Sequence, residues 1–360
     1  MGIKRKIIII GFEKEPISYP HMKHVVDFFL KSHDADYYYL SERGYFLGVD
    51  QKKSIKNTFK LLIKMIIIVK AALLLLNKRN KYSEVIAVDN LSYIISSSIF
   101  KSTILWSHDF VTKDQEHSNS YIQRFISSRT KVSLEKNRSL IIQDNDRLNL
   151  FLTTYGIKQK INVFYLPVSL PKICINSDSF QNQSKLALMQ IGGINKFRSG
   201  SHRLINYYQD NFHNVNLILH GFFDDEIKQI LVESKKIPIC STLPLEASNV
   251  YKLVELADIG FISYETQNLN FYYISNASGQ LVEFLRMHKP VISFGNTNLN
   301  PFITNHGLGI SIEKIEDLST AIDEIKNNYH YYSTNCKNYY NENFDLDLYL
   351  EKMYNWMICK

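Results

Sequence analysis

Runs of buried-strand character alternate with helical stretches along nearly all of the 360 residues, and that alternation leaves few folds open. Lys6 to Gly11, Asp36 to Leu40, Glu84 to Val88, Ser102 to Trp106, Ser139 to Gln143 and Ile161 to Leu166 read as strands, most of them with a helical segment after them. Near-continuous apolar strands separated by helices predict a parallel sheet covered on both faces. Pro167 to Ser184 breaks the pattern with two prolines and a polar Asn/Ser/Gln run. The alternation then restarts at Leu186 to Ile191, followed by Val215 to His220, Ile237 to Cys240, Ile259 to Tyr264, Val291 to Phe294 and Gly309 to Ile312. A chain of this length exceeds what one hydrophobic core organises. The expected fold class is α/β with two Rossmann-like domains, at 1–168 and 185–342. Residues 169–184 are the expected linker, and 343–360 a last helical segment.

Composition narrows the function classes. With 45% hydrophobic and 21% charged residues the chain is an ordinary globular protein. A net charge of +7 suits an anionic small ligand or an anionic membrane surface. It carries no zinc-finger spacing or arginine-rich run, so no nucleic-acid partner is expected. Cys174, Cys240, Cys336 and Cys359 are far apart without CxxC pairing, which argues for a reducing compartment and against a zinc site. The apolar run after Met1 is too short for a signal peptide and reads as a buried strand. A cytoplasmic location follows as the expectation.

One stretch qualifies it. Residues 60–78 are strongly apolar, yet Lys64 and Lys70 interrupt them, so a spanning helix is not expected. Lys53, Lys56, Lys60 and Lys64 recur at spacings that put them on one helix face. A basic face beside a broad apolar one can lie on an anionic inner leaflet, so contact through 56–78 is expected. The competing reading is a buried helix whose lysines reach outward.

Ser275-Asn-Ala-Ser-Gly-Gln-Leu-Val-Glu283 precedes Lys289-Pro-Val-Ile-Ser-Phe294. Ser278 and Gly279 can open a helix whose first N–H groups lack intrahelical partners, a ready site for a phosphate. Glu283 lies about one turn further in, where a carboxylate can accept from both hydroxyls of a ribose. Pro290 ends the helix before a buried strand. The same segment is also compatible with an ordinary αβ unit bearing an exposed glutamate.

With these segments laid out, the chain resembles GT-B-fold glycosyltransferases of the group-1, GT4-like type. The resemblance runs through Leu188-Met-Gln-Ile-Gly-Gly193, Gly200, Val215 to Gly221, Ile239-Cys-Ser-Thr-Leu-Pro244, Ala257-Asp258, Ser278 to Phe284 and Lys289-Pro-Val-Ile292. It covers the C-terminal domain and implies two domains facing across a cleft. It further implies a nucleotide-diphosphate-sugar donor and a hydroxyl acceptor on a glycan or lipid-linked glycan. By resemblance the donor-binding residues would be Gly192, Gly193, Lys196, Arg198, Thr242, Leu243, Ser278, Gly279, Gln280 and Glu283. The final helix would pack back on the N-terminal domain. No cofactor or metal is expected, because a helix dipole and basic side chains can stabilise a leaving diphosphate.

Two departures from the family pattern stand out. Ser199 occupies the position before Gly200 where the family has lysine, which leaves Lys196 or Arg198 to substitute. Ser275 stands where retaining members carry a first glutamate, so retention and inversion are both open. In the N-terminal half, His108 in Trp106-Ser-His-Asp109 resembles the family's histidine facing the donor sugar. His108 and Asp109 are the catalytic candidates; a strand-end histidine capping the next turn is the plainer alternative. His21, His24 and Asp89 have an ambiguous standing. Asp34-Ala-Asp36 and Asp345-Leu-Asp347 are formally DxD but sit at no plausible site loop. The expected activity is hexosyl transfer, with bacterial surface polysaccharide (O-antigen or capsule) synthesis as the setting. A nucleotide-sugar epimerase of the same fold and a catalytically silent GT-B binding partner are the rivals.

Overall fold

All twelve expected strands form. The structure, a computed structural model, describes residues 6–13, 20–41, 69–70, 72–112, 121–175, 185–211, 215–236, 238–242, 249–264, 268–295 and 297–359. The chain divides into two compact units, Met1–Leu166 with Tyr349–Lys360, and Pro167–Leu348.

The first unit runs β1 (Ile7–Glu13), α1 (Pro20–Ser32), β2 (Ala35–Ser41), β3 (Glu84–Val88), α2 (Asp89–Ile99), β4 (Thr103–Trp106), α3 (Tyr121–Asn137), β5 (Ser139–Ile142), α4 (Asn145–Tyr155) and β6 (Asn162–Tyr165). Its sheet is parallel in the order β2-β1-β3-β4-β5-β6. The strand order reverses between β1 and β3, so the loops at their carboxyl ends diverge and leave room for a site. Ile8, Ile10, Val85 and Leu40 are buried with Ile99 and Phe100, while Leu105, Leu140 and Ile142 pack with Tyr93, Phe151 and Tyr155. Asp144 caps α4 by accepting from the Arg147 N–H at 2.8 Å, and Gly156, in the left-handed region, stops that helix.

The second unit continues with β7 (Leu186–Ile194), α5 (Ser201–Asn211), β8 (Val215–Phe223), α6 (Asp225–Glu233), β9 (Ile239–Ser241), α7 (Val250–Val254), β10 (Ile259–Ser263) and α8 (Leu269–Tyr272). A 3₁₀ turn at Ser275–Ala277 leads into α9 (Gly279–Arg286), β11 (Val291–Phe294), α10 (Leu299–Asn305), β12 (Gly309–Ile312), α11 (Leu318–Asn327) and α12 (Tyr329–Tyr339). A π-helical turn, Tyr340–Phe344, precedes α13 (Asp347–Ile358). The sheet is parallel, β12-β11-β10-β7-β8-β9, and its order reverses between β7 and β10. One face is sealed by Leu281, Val282, Phe284 and Leu285 of α9 against Met189 and Ile191. The other is sealed by Leu204, Ile205, Ile322 and Ile325 against Leu188, Leu219, Phe261 and Ile292. Gly260 in β10 makes the first packing possible, since a Cβ there would stand 2.5 Å from the Phe284 ring.

The boundaries carry two findings. Pro167–Ile175, the end of the expected N-terminal domain and the start of the expected linker, packs within the second unit: Leu170 bridges to Asp345 and the Val168 N–H donates to the Asn276 carbonyl at 2.8 Å. The rest of that segment, 176–184, lies outside the described residues. The end of α13 belongs to the first unit, where Tyr354 stacks on His33 and the Trp356 indole N–H donates to Asn162 at 3.0 Å. Most of the basic apolar stretch (residues 51–68 and 71) also lies outside the described residues. Residues 72–76 are helical, with Leu75 buried and Leu73, Leu74 and Leu76 exposed. No helix among the described residues is long and apolar enough to cross a membrane.

Candidate donor and acceptor sites

In the second unit the sequence-predicted residues that the structure describes follow the carboxyl ends of β7, β9 and β10, beside the reversal in strand order. β7 and β8 run further than their apolar patterns indicate. Gly192 pairs with Gly221, Gly193 with Phe222 and Ile194 with Phe223, so the two glycines are strand residues and not a loop. Gly192 has φ 95°, and a Cβ on it would come 3.0 Å from the Gln280 amide nitrogen. Backbone thus lies against the start of α9 where any side chain would intrude.

Ser278 caps α9, its hydroxyl accepting from the Leu281 N–H at 3.1 Å and contacting the Tyr264 hydroxyl at 2.9 Å. Both contacts engage the Ser278 side chain with the protein, which leaves the backbone of the helix start to meet a ligand. A Cβ on Gly279 would find open space. Unpaired N–H groups at the positive end of the helix dipole therefore adjoin open volume, a fit for an anion. Gln280 is half-buried, and its side-chain oxygen is buried without a hydrogen-bond partner.

Glu283 is buried, not exposed, at 5%. One carboxylate oxygen, Oε2, lies 3.5 Å from Arg286 Nη1, while Oε1 is buried without a partner. Burial pushes its carboxyl up to about 7, against the opposing pull of the Arg286 charge. A buried acceptor with one open oxygen is costly unless something donates to it, and ribose hydroxyls would.

The loop before α5 closes on itself. The Asn195 side-chain oxygen accepts from the N–H groups of Arg198 at 2.6 Å and Ser199 at 3.0 Å. The Ser199 hydroxyl donates to the Asn195 carbonyl and contacts Ser201. Ser199 is therefore buried in the turn and does not stand in for a cation. Arg198 is exposed, and the half-buried Lys196 holds its ammonium 5.5 Å from the Phe197 ring centre. Thr242 is exposed just past β9, and Leu243 lies outside the described residues. Ser275 is clamped by Asn298, whose side-chain oxygen accepts from the N–H groups of Ile274 and Ser275 and whose amide donates to the Ser275 hydroxyl. Asn298 and Tyr264 carried no motif signal, because they reach the site through packing; Arg286 was legible only as a helix-spaced partner three residues after Glu283.

In the first unit His108 follows β4 and is buried. Its Nδ1 lies 3.1 Å from Nε2 of His21, the second residue of α1, and Trp106 packs against both rings. Burial, with the Arg147 charge second, lowers His108 to about 3; burial and the neighbouring histidines lower His21 well below the usual range. Both rings are thus neutral at physiological pH. Fully buried Arg147 donates to the His108 carbonyl at 2.5 Å and pairs with Asp109 at 3.1 Å. The Gln143 amide donates to the carbonyls of Ser107 and His108. The Asp89 carboxylate accepts from the His108 N–H at 3.4 Å. Asp109, with its side chain 65% exposed, is engaged by Arg147, so His21 and Trp106 are what orient the His108 ring. Sequence reading passed over Arg147 and Gln143, which act on backbone carbonyls from one helix and one strand end away. Among the described residues no group of three or more His, Cys, Asp or Glu could hold a metal ion.

Residues 205–352 match the family described as glucosyltransferase 3-like, C-terminal domain. Compared by sequence, the chain has no match among curated proteins. Solved structures resemble it over its whole length. HepE of Anabaena, solved in complex with UDP, superposes with a TM-score of 0.71 at 11% identity, covering 99% of this chain and 100% of that one. Sucrose-phosphate synthase of Thermosynechococcus elongatus gives 0.70 at 12% identity, covering 99% of each chain. WaaG, a glycosyltransferase involved in lipopolysaccharide biosynthesis, gives 0.64 at 14%, covering 98% of this chain and 99% of that one. With two doubly wound parallel sheets and this likeness, the chain has the GT-B fold, and its residues 205–352 match a glucosyltransferase 3-like C-terminal domain.

Proposed function

We propose that the chain transfers a hexosyl group from a nucleoside-diphosphate sugar, with UDP the first diphosphate to test, to a hydroxyl of a glycan or lipid-linked glycan. The observation that carries this reading is the unpartnered Glu283 oxygen one turn inside a helix whose start is open at Gly279 and lies against Gly192. In the proposed complex the diphosphate lies on the N–H groups of Gly279 and Gln280, and the Gln280 amide contacts it. Glu283 accepts from the ribose hydroxyls, Lys196 or Arg198 neutralises the leaving diphosphate, and the backbone near Thr242 and Leu243 borders the base. No residue is assigned to bind a metal. HepE solved with UDP and with UDP-glucose supports a uridine donor.

The proposal gives His108 a hydrogen-bonding role. An imidazole lowered to about 3 is far too weak a base to take a proton near neutrality, but it can donate to or accept from a sugar hydroxyl. Asp109, exposed and paired with Arg147, is the better placed of the two for an acceptor hydroxyl.

Synthesis of a bacterial surface polysaccharide is the proposed setting, supported by the likeness to WaaG and to WaaB, described as a lipopolysaccharide outer core galactosyltransferase. Contact with the inner leaflet is part of the reading. Exposed Leu73, Leu74 and Leu76 support it, as does α3, whose solvent face carries Tyr121 (82% exposed), Phe125 and Val132 interleaved with Arg124 and Arg129.

Thermal denaturation with UDP, GDP, CDP, TDP and ADP, followed by assay of free UDP released from UDP-glucose, tests the reading. A ligand at 100 times its Kd adds about 2.7 kcal/mol, a visible rise in midpoint. Stabilisation by one diphosphate together with turnover of its sugar is the expected result. Stabilisation without turnover would favour the silent binding partner, and no response from any of the five would remove the donor site.

A further inference from the structure

We infer that Arg286 is a positioning residue for nucleotide recognition: it occupies one oxygen of the Glu283 carboxylate and leaves the other open for the ligand's vicinal hydroxyls. This rests on the donor site proposed above and assigns its control to a side chain about one turn further along α9.

The geometry follows from the helix. Residues three apart on α9 share a face, so Glu283 and Arg286 meet at the Oε2–Nη1 distance of 3.5 Å, both at most 5% exposed. The guanidinium is fixed from its other side, its central carbon 5.6 Å from the ring centre of Tyr251 on α7. That leaves the carboxylate with two unequal oxygens: Oε2 toward Arg286, and Oε1 buried without a partner. A bidentate pair, the arrangement in which Arg and carboxylate match best, would engage both oxygens. Here the fork is not used that way, and the Arg286 Nε is also without a hydrogen-bond partner.

Charge supplies the reason for an arginine. Burial favours the neutral acid, which would present a proton to the ribose where an acceptor is wanted; Arg286 opposes this. The elements packed around the pair also carry Tyr251 and Lys252 on α7, Lys337 on α12, and Tyr340 and Glu342 in the π-helical turn, with Asp345 and Asp347 behind it; of the cations, Arg286 is the one in contact with the carboxylate. The Tyr340 hydroxyl donates to the Leu170 carbonyl and Asp345 pairs with Lys172, so Arg286 supplies the nearby positive charge that bears on Glu283.

The test is the pH profile of UDP affinity by calorimetry, with 2′-deoxy-UDP as the probe that shares the diphosphate and base but lacks one hydroxyl. The wild-type protein should prefer UDP, and the preference should fade below about pH 7 as Glu283 takes a proton. Arg286→Met should move that midpoint upward by about one pH unit, weakening UDP about fivefold at neutrality. Arg286→Lys, which keeps the charge, should restore most of it, and Glu283→Gln should abolish both preference and pH dependence. A wild-type midpoint in Arg286→Met would overturn the inference while leaving the donor site standing. Should no nucleoside diphosphate bind the wild type, the donor site fails. The pairing is then read directly from the infrared titration of the Glu283 carboxyl, wild type minus Glu283→Gln, against the same difference in Arg286→Met. An unmoved titration there also overturns the inference, and Arg286→Gln replaces the methionine variant if that one does not fold.

Discussion

Gly192 and Gly221 pair across β7 and β8 so closely that a Cβ on Gly221 would stand 1.8 Å from the Gly192 carbonyl oxygen. Gly221 also has φ 146°, a conformation that L side chains rarely adopt. Both strands therefore continue past their apolar runs only because the two glycines allow it, and this extension places the Gly192 backbone against Gln280. Gly221→Ala meets a clash with backbone and an unfavourable φ together. The expected cost is about 2–4 kcal/mol in chemical denaturation, with loss of UDP affinity. A variant as stable as wild type would mean that the extension is not built as described.

Glu283→Ala removes the proposed acceptor for the ribose hydroxyls. A charge-assisted hydrogen bond contributes about 1.5–3 kcal/mol, so UDP affinity should fall by roughly tenfold to 150-fold. Calorimetry decides it, and unchanged affinity takes Glu283 out of the site.

These two predictions rest on features of unequal visibility in the sequence. The strands were legible because parallel sheets buried on both faces write themselves as apolar runs: Val291–Phe294 and Gly309–Ile312 form as their residues indicate. The start of α9 was legible because Ser278 and Gly279 suit a capped helix. The extension of β7 was not, since Gly192 and Gly193 read as a turn until their partners in β8 are known. Helix α12, Tyr329–Tyr339, gave no periodic signal from its Tyr- and Asn-rich residues; burial of Tyr332 and Cys336 holds it. The His21–His108 contact joins residues 87 apart, a separation no spacing rule spans. Burial of Glu283 beside Arg286 was hidden for a different reason: an acid on a short helix reads as exposed unless the packing around it is known.

The buried histidines set an acid limit on the first unit. His108 and His21 are held neutral, and the folded protein must take up protons at sites where burial disfavours them. The unfolded chain binds protons on both rings near pH 6.5, the folded chain only near pH 3 for His108. Their contribution is therefore fully present above pH 6.5 and is lost as pH falls toward 3. For His108 alone it is at most of order 5 kcal/mol. His108→Phe should flatten the fall in denaturation midpoint between pH 6.5 and 3.5. A slope identical to wild type would show that His108 titrates normally and is not buried as a neutral ring.

The exposed face of α3 yields the membrane prediction. Tyr121, Arg124, Phe125, Ser128, Arg129, Val132 and Lys136 are exposed on it, and no acid is. Arg129 lies 5.4 Å from the Phe125 ring centre, so its charge and the ring's apolar surface occupy one patch. Aromatic and branched side chains could enter the interfacial zone while the cations meet lipid phosphates, an arrangement worth about 1 kcal/mol per basic residue on an anionic surface. The protein should therefore co-sediment with vesicles containing phosphatidylglycerol and remain in the supernatant with pure phosphatidylcholine. Phe125→Ser with Arg129→Ser should weaken the binding at least tenfold without lowering the denaturation midpoint, because both side chains are solvent-exposed. Raising salt from 0.1 to 0.5 M should weaken the wild type as screening shortens the reach of the charges. Binding that persists unchanged in the double variant would assign the contact to the apolar stretch around 56–78, and no binding to either vesicle would leave the acceptor a soluble glycan.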